Sequence, residues 1–310
     1  MAFMTAEDGE KIYYETWPAE TPRAMIQILT GLGEMAWYYE EFAQEANRRG
    51  FSVWLHEYRK HGRSEAGYGQ DNIFLTFASD AAQLLSMIRR ENPGRKVFLV
   101  CHSLGTGIGQ FAVAKEGAHW DGIVMTGPSH RVIEPSRFER LLKQAEDAIR
   151  AEGPDSPSRE IYPEIFDGQN DEFADENSPF SFITSDREKW DFIASLPFTS
   201  PDYSNRFYRD FLLMQAVMLD ELSLESQAAK AASAQEQLAE IRVPGLLLTG
   251  EQDVTSEHGT YAAVKAAHLR KAGFQDVTSK SYPGLRHSIL QETRRGEVAE
   301  DILHWIEERV

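Results

Sequence analysis

The chain holds one cysteine, Cys101, among 310 residues. A lone thiol excludes an internal disulfide, so the core alone must hold the fold, and a reducing compartment fits. Basic residues are scarce as well. Lys and Arg number 32 against 49 Asp and Glu, a net charge of −17. A field of that sign repels nucleic-acid phosphates and anionic membrane surfaces. Arg89-Arg90 and Arg294-Arg295 read as solvated helix faces rather than a nucleic-acid patch. No apolar run approaches the length of a membrane span, so no stable membrane anchor is expected. Met1 to Glu10 carry neither the basic nor the apolar region of a signal peptide. No spacing resembles the His-Glu-x-x-His metal site, and Gly31-x-Gly33 lacks the third glycine of a dinucleotide fingerprint, so neither metal nor cofactor is expected. Hydrophobic residues still make up 42 %, enough for a large core. The expectation is a soluble, cytoplasmic protein with a small-molecule partner and no nucleic acid; oligomeric state is not legible.

What is present alternates. Strand-like runs recur at Lys11–Trp17, Arg23–Thr30, Phe51–Glu57, Lys96–Cys101, Gly122–Thr126, Gly245–Thr249 and Val277–Tyr282. Helix-like stretches lie between most of them, at Trp37–Arg49, Phe74–Glu91, Leu104–Lys115, Glu257–Lys271 and Glu297–Arg309. The last carries Val298, Ile302, Trp305 and Ile306 at the spacing of one helix face. Such alternation implies an α/β fold with a largely parallel sheet between helices. Asp8-Gly9, ahead of the first long strand, predicts an antiparallel hairpin at the sheet edge.

The alternation stops between about Pro128 and Glu240. Glu152–Asn177 is rich in Pro, Asp and Glu and reads as loop with short helical turns. Aromatics follow, from Phe180, Phe182, Trp190, Phe192 and Phe198 to Tyr203 and Tyr208. Ser204 is placed to cap a helix whose apolar face is Phe207, Phe211, Met214, Met218 and Leu222. The Ala/Gln-rich Gln227–Gln237 looks helical. The division expected is a core of residues 1–128, a helical cap of 129–240 and the rest of the core at 241–310. Phe180, Phe182, Phe207, Phe211 and Met214 are candidates to line an apolar substrate channel; core packing of the same stripe is the alternative.

Three segments carry the candidate chemistry. Val97 to His102 is a short apolar strand running into Ser103 and then a helix, the setting of a nucleophile elbow. A serine hydroxyl is a poor nucleophile alone and needs a base with an orienting acid; otherwise Ser103 is a helix cap. Val243 to Gly250 is a buried strand followed by Asp253. Ser281-Tyr282-Pro283-Gly284-Leu285-Arg286-His287 is a strand end, a turn and a histidine. Each polar residue sits just past the carboxyl end of a strand, where open α/β sheets bind ligands. The chain order Ser103, Asp253, His287 is that of α/β-hydrolases. His102 reads as a packed or rim histidine, His56 and His61 as residues of an internal strand and turn held by hydrogen bonds, and His258 as a helix-start residue; Glu251 is the second choice for the acid.

With these motifs in order, the chain resembles the monoacylglycerol lipase and lysophospholipase branch of serine α/β-hydrolases, related to the S33 aminopeptidases. Thr30-Gly31-Leu32-Gly33-Glu34 is similar to the family's His-Gly-x-Gly-Glu loop, and Tyr58-Arg59-Lys60-His61-Gly62-Arg63-Ser64 to its Arg-Gly-His-Gly-x-Ser turn. Cys101-His102-Ser103-Leu104-Gly105 is similar to Gly-His-Ser-Met-Gly. Gly250-Glu251-Gln252-Asp253 and Tyr282 to His287 match Gly-x-x-Asp and Tyr-x-Gly-x-x-His. The resemblance implies the α/β-hydrolase fold, a Ser103–Asp253–His287 triad, and an oxyanion hole from the backbone of Leu32 and Leu104. It further implies hydrolysis of a carboxylic ester, a monoacylglycerol or lysophospholipid among them. Thr30, Met35, Lys60 and Cys101 depart from the pattern, and Cys101 reads as a buried, inert thiol. Two other readings stay open: a ligand-binding protein that kept the fold without catalysis, and a peptidase or acyltransferase using the same triad.

Overall fold

An eight-stranded sheet frames the computed structural model, which describes residues 2–69, 72–115, 119–128, 135–158, 160–166, 168–196, 203–219, 243–271 and 273–310. The strands are β1 (Ala2–Thr5), β2 (Lys11–Trp17), β3 (Ala24–Leu29), β4 (Phe51–His56), β5 (Val97–His102), β6 (Gly122–Thr126), β7 (Pro244–Gly250) and β8 (Gln275–Tyr282). Their order across the sheet is β1-β2-β4-β3-β5-β6-β7-β8. β1 and β2 form the expected antiparallel edge hairpin, turning through Gly9 at φ +89°. β2 also runs antiparallel to β4, and every pairing from β4 to β8 is parallel. Every residue of β3, β4, β5 and β6 is buried, as strands covered on both faces require.

Helices supply the two outer layers. On one face lie α1 (Glu40–Arg48), entered through a 3-10 turn at Ala36–Tyr39, and α9 (Arg295–Glu307). Phe42, Ile302 and Trp305 face the sheet there, and the stripe read from the sequence, Val298, Ile302, Trp305 and Ile306, is buried throughout. Each aliphatic member of it contributes roughly 1.5–3 kcal/mol on leaving water. On the other face lie α2 (Ile73–Glu91) and α3 (Leu104–Ala114), with Phe74, Phe77, Leu84 and Ile108 in the core. The Asn72 side chain caps α2 by accepting from Phe74 N–H and Leu75 N–H.

Between β6 and β7 the described residues add no strand to the sheet. They form α4 (Pro135–Glu152), α5 (Ile161–Phe166), a 3-10 turn at Asp171–Glu176, α6 (Arg187–Ser195) and α7 (Asn205–Leu219). Ser204 caps α7 as read from the sequence, its Oγ accepting from Phe207 N–H at 3.2 Å. Asp210 of α7 accepts from the first N–H of α2, at Ile73, at 2.9 Å and so pins the two helices together. Phe198, Leu222, the Gln227–Gln237 segment and the side chain of Met218 lie outside the described residues. α8 (Tyr261–Lys271) starts later than the sequence pattern predicts, because Glu257 and His258 are held at φ +51° and +56°. Among the described residues no helix is long and apolar enough to cross a membrane.

Candidate active site

Ser103 sits between β5 and α3 at φ +48° and ψ −117°. A non-glycine residue at positive φ costs on the order of 1–3 kcal/mol and persists only where its surroundings fix it. Here the Ser103 N–H donates to Thr126 O at 3.0 Å, and Ser103 O accepts from Thr106 N–H at 2.9 Å. The helix-cap alternative fails, because the Ser103 side chain makes no capping bond. Its Oγ lies 2.8 Å from His287 Nε2 instead. Beneath the turn, Cys101 is fully buried. Gly109 makes room for it, since a Cβ there would stand 2.5 Å from Cys101 Sγ. Burial pushes the Cys101 thiol pKa well up, which keeps it protonated and inert.

His287 and Asp253 reach the same point from the loops after β8 and β7. The backbone binds the two loops together, through Glu251 N–H to Tyr282 O at 3.0 Å and Gln252 N–H to Leu285 O at 2.9 Å. Gly250 permits the crossing, because a Cβ there would come within 2.1 Å of Leu285 O. His287 Nδ1 stands 3.1 Å from both carboxylate oxygens of Asp253, which is fully buried. Burial alone would lower the His287 pKa, but the charge and hydrogen bond of Asp253 outweigh it and hold it above the ordinary histidine value. Burial would likewise raise the Asp253 carboxyl; His287 and the bonds from Thr255 override it and hold it below the usual range. Glu251, the second choice for the acid, is exposed and points the chemistry to Asp253.

Thr255 belongs to this group and was not singled out from the sequence. Its N–H and Oγ1–H donate to Asp253 Oδ1 at 2.9 and 2.7 Å, and the same Oγ1 is 2.7 Å from His287 Nδ1. The signal was present, since Asp-x-Thr is a turn in which the aspartate accepts from the residue two places on.

The loop Thr30 to Glu34 lies against the start of α3. Gly105 allows this close approach, because a Cβ there would be 2.4 Å from Leu29 O and 2.7 Å from Thr30 O. Leu32 is half-buried in that loop, and Leu104 is the first residue of α3. Glu34 holds the loop's shape by accepting from Gly31 N–H at 2.7 Å and Tyr39 O–H at 2.5 Å. It also stands 3.5 Å from His102 Nε2. His102 is a buried packing histidine, bonded to Thr126 and to Ser288 Oγ at 2.9 Å, with its ring 4.9 Å from that of His287. Burial pushes its pKa down. Lys60, standing where the family pattern has glycine, adopts φ +63°.

The residues expected to line a channel divide. Phe182 stacks on His287, with ring centroids 6.3 Å apart, and its carbonyl accepts from His287 N–H at 3.3 Å. Phe180 is half-buried and packs against the core on the α1 side. Phe207, Phe211 and Met214 are buried and belong to the core cluster that also holds α2 and α3 residues. Phe207 lies edge-on to Phe74 at 5.3 Å and stacks on Tyr203 at 4.3 Å. A Cβ on Gly107 would be 2.9 Å from Met214 Sδ, so this sulfur fills the α3–α7 seam. An amphipathic stripe reports only that one face is covered, which is why the sequence did not separate channel from core.

The remaining histidines are settled by their partners. His61 bonds Arg59 O at 3.0 Å and Tyr203 OH at 3.3 Å, and burial takes its pKa down to about 4. His56 lies in a strand as expected, at the end of β4, but the hydrogen bonds expected of it are missing: it is fully buried and neither ring nitrogen has a partner among the described residues. Burial takes its pKa down to about 3. His258 pairs with Glu172 at 3.1 Å on the surface. Among the described residues no cluster of His, Cys, Asp and Glu is arranged to hold a metal ion.

The family described as Serine aminopeptidase, S33, matches residues 20–294. Monoglyceride lipase of Rattus norvegicus is 25 % identical over 98 % of this chain and 89 % of its own length. Monoacylglycerol lipase of Mycolicibacterium smegmatis is 22 % identical over 96 % of this chain and 93 % of its own. Among solved structures, a thermostable carboxyl esterase from Bacillus coagulans in complex with glycerol superposes with a TM-score of 0.85 at 22 % identity, covering 100 % of this chain and 98 % of that one. The fold is that of the α/β-hydrolases.

Proposed function

This chain belongs to the serine aminopeptidase S33 family, and on that premise we propose that it is a serine hydrolase cleaving carboxylic esters through an acyl-enzyme. Ser103 is the nucleophile, His287 the base and Asp253 the acid that orients it. The observation that carries the reading is the 2.8 Å contact of Ser103 Oγ with His287 Nε2, backed by Asp253 at 3.1 Å from Nδ1.

Ser103 Oγ attacks the acyl carbonyl while its proton passes to His287 Nε2. Asp253 accepts from Nδ1–H and stabilises the imidazolium as it forms. The backbone N–H groups of Leu32 and Leu104 receive the oxyanion, each donor contributing roughly 3–4 kcal/mol to the transition state. His287 then returns the proton to the leaving alcohol. Water, deprotonated by the same imidazole, releases the acid and restores Ser103.

The substrate class is a lipid ester such as a monoacylglycerol or lysophospholipid. Relatives named as monoglyceride lipases across nearly the whole chain support it, and so does the apolar ring of Phe182 beside the base. The reading includes a helical cap at 129–240 set between core segments 1–128 and 241–310, and a cytoplasmic location. A p-nitrophenyl ester series from acetate to palmitate tests it, with Ser103→Ala and an aminoacyl anilide alongside. Serine-dependent turnover of esters, strongest at medium or long chains, is expected. Cleavage of the anilide alone would make the protein a peptidase, and turnover that survives Ser103→Ala would remove the nucleophile.

A further inference from the structure

The loop carrying His287 is covered by the segment from Gly168 to Asp186. Along this strap His287 N–H donates to Phe182 O at 3.3 Å, Ser288 N–H to Ile183 O at 2.8 Å, and Thr184 Oγ1–H to Gln291 O at 3.1 Å. Glu292, fully buried, accepts from Ser185 N–H and Oγ–H at 2.9 and 2.6 Å and from Arg286 N–H at 2.9 Å. Strap and base loop therefore share one set of bonds.

The turn of the strap, residues 170–182, is closed on itself. Asn170 donates to Pro179 O at 2.9 Å and accepts from Phe182 N–H at 2.9 Å. Besides the His287 N–H bond to Phe182 O, the side chain of Arg286, the residue immediately before His287, ties this closed turn to the base loop. Its guanidinium makes two parallel bonds to Glu176, at 2.7 and 2.8 Å, donates to Ser181 O at 2.7 Å and lies 3.8 Å over the Phe173 ring. The Arg286 side chain is 7 % exposed and that of Glu176 21 %. A two-pronged pair of this kind fixes orientation as well as distance. Loss of its carboxylate leaves a nearly buried cation uncompensated beside the base.

We infer that Glu176 is a positioning residue, holding His287 in line between Ser103 and Asp253 through the Arg286 fork. The inference rests on the triad reading above. It makes the strap the part of the chain between β6 and β7 that sets the competence of the base.

The test compares Glu176→Gln, Glu176→Asp and, as a surface control on the same turn, Glu172→Gln in the full chain. With p-nitrophenyl butyrate, Glu176→Gln should lower kcat roughly tenfold, in keeping with the cost of a slightly misplaced catalytic group, and leave KM within about twofold. Glu176→Asp keeps the charge with less reach and should fall between it and wild type; it also serves if the glutamine variant does not fold. Glu172→Gln should behave as wild type. In parallel, the downfield proton resonance of the His287 Nδ1–H bond to Asp253 should broaden or vanish in Glu176→Gln. That readout needs no turnover. A wild type without turnover or labelling at Ser103 would remove the hydrolase reading, and the resonance would still decide whether Glu176 holds His287. An unchanged kcat and resonance with a lowered melting temperature would reduce Glu176 to a brace and overturn the inference. An equal loss from Glu172→Gln would overturn it too.

Discussion

Replacing Thr255 by valine should harm the reaction more than the fold. The Thr255 hydroxyl is 2.7 Å from Asp253 Oδ1 and 2.7 Å from His287 Nδ1, closer to that nitrogen than either carboxylate oxygen at 3.1 Å. It passes hydrogen bonding from imidazole to acid, and its value grows as the imidazole gains charge. A hydrogen bond to a charged group contributes about 1.5–3 kcal/mol net. If all of it is felt as the imidazolium forms, kcat falls by about 10- to 150-fold. The fold should lose less, because Asp253 keeps the Thr255 N–H at 2.9 Å and the His287 Nδ1–H. KM should hardly move, since Thr255 is buried on the far side of His287 from Ser103. The assay is steady-state hydrolysis of p-nitrophenyl butyrate with a thermal melt of each variant. Thr255→Ser, which restores the hydroxyl, should recover most of the rate. A valine variant within twofold of wild type, or a serine variant as slow as valine, would refute the reasoning.

Two further outcomes follow from the same geometry. The base must be neutral to take the Ser103 proton, and Asp253 holds the His287 pKa above the ordinary histidine value of 6.5. The pH profile of kcat/KM should therefore fall on its acid side through a midpoint above 6.5, with the slope of one proton; a rate flat to about pH 4 would exclude a histidine base. Gly109→Ala should lower the melting temperature, because its Cβ would stand 2.5 Å from Cys101 Sγ, and Cys101→Gly in the same chain should restore it. Failure of the second change to rescue the first would show that Cys101 is not what Gly109 accommodates.

The fold was legible wherever a pattern is local. The strand runs at Phe51–Glu57 and Gly122–Thr126, the hairpin at Asp8-Gly9 and the apolar face of α9 all appear where their side chains dictate. So did the meeting of Ser103, Asp253 and His287, because parallel strands bring their carboxyl ends to one edge. The helix starts at Tyr261, not at Glu257, because Glu257 and His258 are left-handed; Gly259, at φ +75° just ahead of the helix, was the one local signal of that turn. The contributions of Glu176, Arg286 and Glu292 were not legible. They arise from contacts between segments far apart in the chain, and a single charged residue in a loop reads the same whether it is solvated or pinned. The Phe207, Phe211 and Met214 stripe was ambiguous for a related reason: helical spacing shows that a face is buried but not what buries it.

Whether Ser103 is an activated nucleophile is read from its reaction with a fluorophosphonate, followed by mass spectrometry. One adduct per chain is expected, mapped to Ser103, absent from Ser103→Ala and formed much more slowly in His287→Ala. An adduct on another residue, or unmodified Ser103 after prolonged exposure of folded protein, would contradict it.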